Sequence, residues 1–176
     1  MPDRGRRRTE PKAPQADIAS KGGARRKGRE FALGLLFMAD VGGLNAGGAI
    51  IGAEETLDLL LEQWQMAAYE REKLRVEIDD FGRKLFEAYF QDAQVIDQII
   101  NELSHDWALD RMPGIDRNIL RMALAELRHL PDVPTSAAIN EAVELAKIYG
   151  TPDSGKFVNG ILGAYARREK LIADPQ

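Results

Sequence analysis

The 176-residue chain contains no cysteine, only two histidines and few aromatic residues, which make up 7% of it. The absence of cysteine excludes disulfides, thiolate metal sites and a cysteine nucleophile, and it is typical of proteins from reducing compartments. The longest apolar run covers residues 31–39 and is far shorter than the ~20 residues that a membrane-spanning helix needs. We therefore expect a soluble, cytoplasmic protein with no membrane segment.

Residues that could form a catalytic or metal site are also missing. Neither histidine has a carboxylate at metal-ligand spacing, and no Ser–His–Asp or paired-carboxylate arrangement is apparent. A phosphate-loop pattern, G-x-x-x-x-G-K, occurs at Gly150, Gly155 and Lys156. The next residue is Phe157, where that loop needs Ser or Thr to hold Mg²⁺, and the segment follows a predicted helix instead of a strand. We predict no catalytic residues, no metal and no cofactor, and hence no enzyme.

Charge is distributed unevenly along the chain, whose net charge is −4. Residues 1–30 carry ten Lys or Arg and four Asp or Glu, whereas the remainder carries fourteen Lys or Arg and twenty-four Asp or Glu. A basic arm on an acidic body predicts a polyanionic partner for the arm. The acidic body disfavours wrapping of long nucleic acid over the whole surface.

The strongest basic feature is a cluster of four cations directly before the apolar run: Arg25, Arg26, Lys27 and Arg29. We expect them at the N-terminus of a helix, where they face the positive end of the dipole and repel one another. Such placement indicates that the cations bind a ligand and do not serve to stabilise the helix. RNA is the favoured polyanion, because arginine binds phosphates and also stacks on unpaired bases. An anionic lipid surface or an acidic protein, bound by a scaffold module, remains the alternative.

Apolar residues recur at helical spacing along most of the chain, and no run alternates with period two. The pattern predicts an all-α fold of about seven helices, following a disordered arm over residues 1–23. The segment 69–80 is predicted to be a solvated face or a turn, and residues 107–113 a packed connector. The helices are predicted from Arg25 onward, over 53–74, 77–90 and 92–105, from Asp116, from Thr135 or Ser136 to Gly150, and from Thr151.

Three segments carry a recognisable pattern: ARRKGREFALGLLF (24–37), IDRNILRMALAEL (115–127) and INEAVELAKIYGTPDSGKFVNGIL (139–162). The first resembles the arginine-rich opening helix of the NusB family of transcription antitermination factors. The second resembles the central helix of that family, and the third is its most specific segment. The resemblance covers residues 24–168 and is strongest over 107–163.

The resemblance implies a helical domain over residues 24–176, made of two packed subdomains at about 24–75 and about 76–170. It also implies a bacterial, non-enzymatic factor that binds the boxA element of ribosomal RNA leaders. Binding occurs together with NusE, a protein of the small ribosomal subunit, and the pair joins a complex on RNA polymerase that suppresses termination. Some family members form homodimers, so a homodimer is possible here.

Site residues follow from the same resemblance. The opening helix implies RNA contacts by Arg25, Arg26, Lys27 and Arg29. The start of the last helix implies a second RNA-facing group, Asp153, Lys156 and Phe157. A surface for NusE or RNA is implied at Phe37, Asp116 and Arg117.

Three of these positions have a second interpretation from the residues alone. Phe157 fits a base-stacking role or a core role equally well, Asp116 is also explained as a helix cap, and Arg117 carries a similar ambiguity. Gly28 stands where the family usually has alanine, which predicts a first turn that is loose until RNA binds.

Overall fold

The computed structural model of the chain describes residues 21–43, 68–105 and 107–173. Within these ranges the chain forms six α helices, one 3₁₀ helix and no strand, which confirms the predicted all-α fold. The helices are α1 (Lys21–Val41), α2 (Ala68–Gln91), α3 (Ala93–Leu103), the 3₁₀ helix Leu109–Arg111, α4 (Gly114–His129), α5 (Thr135–Tyr149) and α6 (Ser154–Arg168). Most of the helix predicted over 53–74 lies outside the described residues.

Helix α4 is the centre of the fold, since it contacts each of the other five α helices. Its middle is apolar on most sides, as expected for a helix surrounded by others, except at Arg121, which is partly exposed and pairs with Asp97 at 2.8 Å. The residues that are fully buried there are Ile119, Leu120, Met122, Ala123, Leu124 and Ala125. Helix α1 packs against both α2 and α4, and its predicted inward stripe of Phe31, Leu35, Leu36 and Ala39 is buried throughout. The cationic part of α1 is therefore attached directly to the core.

Helix α2 differs from the prediction in its length. It runs without a break through the segment predicted as a solvated face or turn, and through the predicted subdomain boundary near residue 75. Among the charged residues of this segment whose exposure is described, Glu72 and Asp80 are exposed, and an Asp79–Arg83 pair with i,i+4 spacing joins successive turns at 2.6 Å. The prediction of a turn at this point is therefore wrong. The division into two subdomains stays a prediction, because residues 44–67 lie outside the described ranges.

Helix ends also differ from those predicted. Helix α6 begins at Ser154 and not at Pro152, because the Ser154 hydroxyl accepts the backbone N–H of Thr151 at 2.9 Å and closes a turn first. Helix α4 begins at Gly114, two residues before Asp116. In α3, Val95 is exposed, whereas Ile96, Ile99 and Ile100 are buried.

Helices α1 and α2 cross at two glycines. A Cβ on Gly28 would lie 2.7 Å from Cδ1 of Phe81, and a Cβ on Gly82 would lie 2.5 Å from Cδ1 of Phe31 and 2.9 Å from the Gly28 carbonyl oxygen. The two backbones thus approach each other directly, which only residues without a side chain allow. Gly28 serves close packing, which corrects the expectation that it loosens the first turn.

Candidate nucleic-acid interface

The cationic cluster lies in the second and third turns of α1, because α1 already includes Lys21. Residues 21–23, predicted as the end of the disordered arm, are therefore helical, while residues 1–20 lie outside the described ranges. The effect of the helix dipole fades beyond the first turn, so the expected clash with the dipole is wrong. Repulsion among the cations remains, and carboxylates from other helices compensate it.

Arg26 forms an exposed pair with Glu141 of α5. Its Nε and Nη2 each donate to one carboxylate oxygen of Glu141 at 3.0 Å, in the two-pronged geometry that guanidinium groups prefer. The Arg26 side chain keeps 55% of its surface exposed. Its hydrogen bonds are the main reason that the pKa of Glu141 lies below its ordinary value. Arg26 is thus oriented by the protein and still accessible to a ligand.

Arg29 forms a buried pair with Glu126 of α4. Its Nε donates to Glu126 Oε2 at 3.0 Å, its Nη2 donates to Oε1, and Nη1 lies 4.0 Å from Oε2 of Glu141. Arg29 is only 3% exposed and Glu126 only 1% exposed. The RNA contact implied for Arg29 would require this pair to open. The geometry therefore assigns Arg29 to holding α1 against α4.

The ring of Phe81 on α2 lies next to two of the cations. The guanidinium carbon of Arg25 is 5.7 Å from the ring centroid, and that of Arg29 is 5.3 Å away. Both distances fit a cation–π contact. Lys27, in turn, pairs with Glu30 on its own helix at 2.7 Å. Arg25, Arg26 and Lys27 are therefore the cations of this cluster that reach the surface.

The second predicted group lies at the start of α6. Asp153 and Lys156 are exposed, whereas Phe157 is half-buried and meets the ring of Trp107 edge to face at 5.4 Å. Part of Phe157 therefore packs and part of it is accessible, and its base-stacking role stays a prediction.

Tyr149 lies near the first group in space and near the second in sequence. It ends α5, four residues before Asp153, and its side chain lies beside Glu30 of α1. Burial and the neighbouring Glu30 carboxylate raise the pKa of the Tyr149 phenol. The phenol therefore stays protonated, and about half of the residue is exposed beside α1.

The three residues predicted to bind a partner meet where α1 ends and α4 begins. The Phe37 ring lies next to Gly114, and Nη2 of Arg117 donates to Asp40 at 2.7 Å. Arg117 also donates to two backbone carbonyls of the preceding segment. Asp116 is 2% exposed, in the first turn of α4, where a carboxylate is stabilised by the helix dipole. Internal contacts therefore account for Arg117, whereas Oδ1 of the buried Asp116 has no hydrogen-bond partner.

Sequence reasoning missed the carboxylates and aromatic residues that organise the site. Glu126 had a signal, since it lies three residues after Ala123 and seven after Ile119 on the buried face of α4. A carboxylate at such a position needs a cation. Trp107 was assigned to a packed connector, although it is 39% exposed.

The interface combines cations, helix-end N–H groups and accessible aromatic rings. These groups bind phosphate and stack on bases. In the described ranges, no group of three His, Asp or Glu residues is arranged to hold a metal ion. None of the helices described is both long and apolar enough to cross a membrane.

Comparison with known proteins identifies the family of the chain. Residues 26–167 match the sequence model of the NusB family. The transcription antitermination protein NusB of Heliobacterium modesticaldum is 44% identical over 144 residues, which cover 82% of this chain and 63% of that protein.

Solved structures show the same fold. T. maritima NusB superimposes with a TM-score of 0.62 at 33% identity, covering 81% of this chain and 90% of that one. A crystal structure of the antitermination factors NusB and NusE in complex with dsRNA superimposes with a TM-score of 0.62 at 27% identity. The match covers 82% of this chain and 97% of that one. With a family match over most of its length, the chain belongs to the NusB family.

Proposed function

We propose that this protein is a transcription antitermination factor that binds boxA RNA of ribosomal RNA leaders together with NusE. The observation that carries the proposal is the surface formed by Arg25, Arg26 and Lys27, with the half-exposed Tyr149 beside Glu30 of the same helix. The relatives named NusB, and the NusB–NusE structure with RNA, support it. The protein acts by binding and not by catalysis, in the cytoplasm where these leaders are transcribed.

Phosphate contacts supply much of the affinity in this proposal. Arg26 and the partly exposed Arg25 and Lys27 of α1, together with Lys156 of α6, give about four contacts. For single-stranded RNA the logarithm of the binding constant falls by about 0.7 per contact for each tenfold rise in salt, so a slope of roughly −3 is expected. Base identity is read on the unpaired strand by stacking and hydrogen bonds to base edges.

The experiment is a titration of the full chain with boxA RNA and with a scrambled RNA of equal composition, each with and without NusE. Measurements at about 0.05 and 0.2 M salt give the slope. Preference for boxA, strengthened by NusE, is expected. Lys84→Ala, which removes an exposed cation from α2, is the matched control for Lys156→Ala and leaves affinity unchanged.

A protein scaffold is the alternative outcome. Tight binding of NusE without any preference for boxA over the scrambled RNA would mean that the chain recognises a protein partner and not a specific RNA. Assembly on RNA polymerase and a homodimer that covers the RNA surface are further expectations from the family. A mass measurement in the same buffer, with and without RNA, tests the homodimer.

A further inference from the structure

An open cleft of about 500 Å³ lies between the end of α3 and the first turns of α6. It has four apolar and two polar lining residues: Leu103, Ser104, His105, Trp107, Phe157 and Ile161. Trp107 and Phe157 contribute the aromatic part of its lining. The cleft is within the size range of small-molecule sites.

Trp107 is held in place and yet uncovered. Its backbone N–H donates to the Ser104 carbonyl at 2.6 Å, and the Ser104 hydroxyl donates to the Trp107 carbonyl at 2.8 Å. The indole meets the Phe157 ring at an interplanar angle of 67°. Ser104 is buried, whereas 39% of Trp107 stays exposed. A ring fixed in this way loses little freedom when a planar ligand stacks on it.

The cleft is continuous with the proposed RNA surface. Phe157 belongs to both, and the exposed Lys156 precedes it at the start of α6. Surfaces that bind single-stranded nucleic acid combine cations along the backbone with aromatic rings under the bases. His105 is exposed at the same cleft and offers hydrogen bonds to the polar edge of a base.

We propose that this cleft binds one unpaired nucleobase of the RNA, stacked on Trp107. The proposal rests on the proposed function and adds a specific residue and subsite to it. An apolar side chain of a protein partner would use the same aromatic lining, but it would leave the exposed His105 without a role.

The test is RNA binding by Trp107→Ala. Loss of one stacked base weakens binding roughly 5- to 150-fold. Stacking neutralises no phosphate, so the salt slope is expected to stay unchanged, unlike that of Lys156→Ala. Phe90→Ala is the matched control, because Phe90 is 40% exposed and also meets neighbouring rings edge to face, but lies on α2 outside the cleft. Equal affinities of the Trp107 and Phe90 variants would overturn the proposal.

A second measurement keeps the test independent of folding. Trp107→Phe retains an aromatic ring, so most of the affinity is expected to remain. Stacking of a base quenches indole emission, and the quenching seen with the wild-type protein should shrink in this variant, which keeps only Trp64. Identical quenching in both proteins would contradict base stacking on Trp107.

The remaining outcomes separate the two proposals. If the wild-type protein fails to bind boxA RNA at all, the proposed function fails. If it binds boxA RNA and Trp107→Ala weakens only NusE binding, the cleft is a protein site, and only the inference about Trp107 fails.

Discussion

Arg26 and Arg29 stand three residues apart on α1, and each faces a glutamate from another helix, but their surroundings differ. Arg26 pairs with Glu141 at the surface, whereas Arg29 pairs with Glu126 in the interior. An exposed pair contributes about 0–1 kcal/mol, so a phosphate can replace its carboxylate at little cost. Breaking a buried pair costs about 3–5 kcal/mol, because a charge is left without a partner. One arginine is thus available for binding and the other holds the surface in place.

The largest expected effect is the loss of the buried pair. Arg29→Ala is expected to lower the free energy of unfolding by about 3–5 kcal/mol, measured by chemical denaturation, since Glu126 would be left buried and unpaired. Arg26→Ala is the matched control and changes it by no more than ~1 kcal/mol. Replacing both partners, with Arg29→Met and Glu126→Leu, is expected to recover most of the loss. Equal destabilisation by Arg29→Ala and Arg26→Ala would contradict the distinction between the buried and the exposed pair.

The rotation of α1 that separates the two arginines depends on its crossing with α2. Gly82→Ala is expected to lower the free energy of unfolding by about 1–3 kcal/mol, because its Cβ would meet Phe31 and the backbone of Gly28. Gly34→Ala is the control, as a Cβ there meets no described atom within 4 Å, and a gain of up to ~1 kcal/mol in helix propensity is expected. A stable Gly82→Ala protein would show that the crossing tolerates a side chain.

For RNA binding the order is reversed, and the substitution of Arg26 is expected to have the larger effect. Arg26→Ala is expected to reduce the salt slope by about 0.7 and the affinity roughly fivefold at about 0.1 M salt, with the fold intact. The measurement is fluorescence anisotropy with boxA RNA. The double substitution of Arg29 and Glu126 is expected to leave the slope unchanged, since it removes no exposed cation. A reduced slope in that double variant would show that Arg29 contacts RNA phosphate.

The smallest effect concerns the pKa of Glu141. Arg26 lowers this pKa, so the stability due to the pair is present above the ordinary carboxyl range and is lost as the pH falls through the lowered pKa. If RNA phosphate takes over Arg26, the pKa of Glu141 is expected to rise on binding, and also in Arg26→Ala without RNA. NMR titration of the carboxyl carbon measures both shifts. An unchanged pKa of Glu141 in the RNA complex would mean that Arg26 stays paired with Glu141.

Much of the fold could be predicted because period-3.6 stripes such as Phe31, Leu35 and Leu36 are local patterns. The ends of helices were less predictable, since they depend on single hydrogen bonds such as the one between Thr151 and Ser154. The length of α2 was underestimated because its dense charge resembles a loop until the neighbouring helices are known.

The candidate site could be predicted in its chemistry but not in its geometry. The cluster around Arg26 and Arg29 indicated a polyanion, yet which arginine faces inward depends on Glu126, 97 residues away from Arg29. Gly28 showed only a low helix propensity until its contact with α2 was known. Trp107 was missed because its exposure is decided by the path of a connector, which follows no periodic pattern.

Helix α1 is fixed at two points, by Arg29–Glu126 and by Asp40–Arg117. These points lie eleven residues apart, or roughly 16 Å along the helix axis. With both in place, the cations need no folding step before RNA docks. The rate of association is then set by diffusion and by electrostatic steering, so we expect it to fall steeply as salt rises.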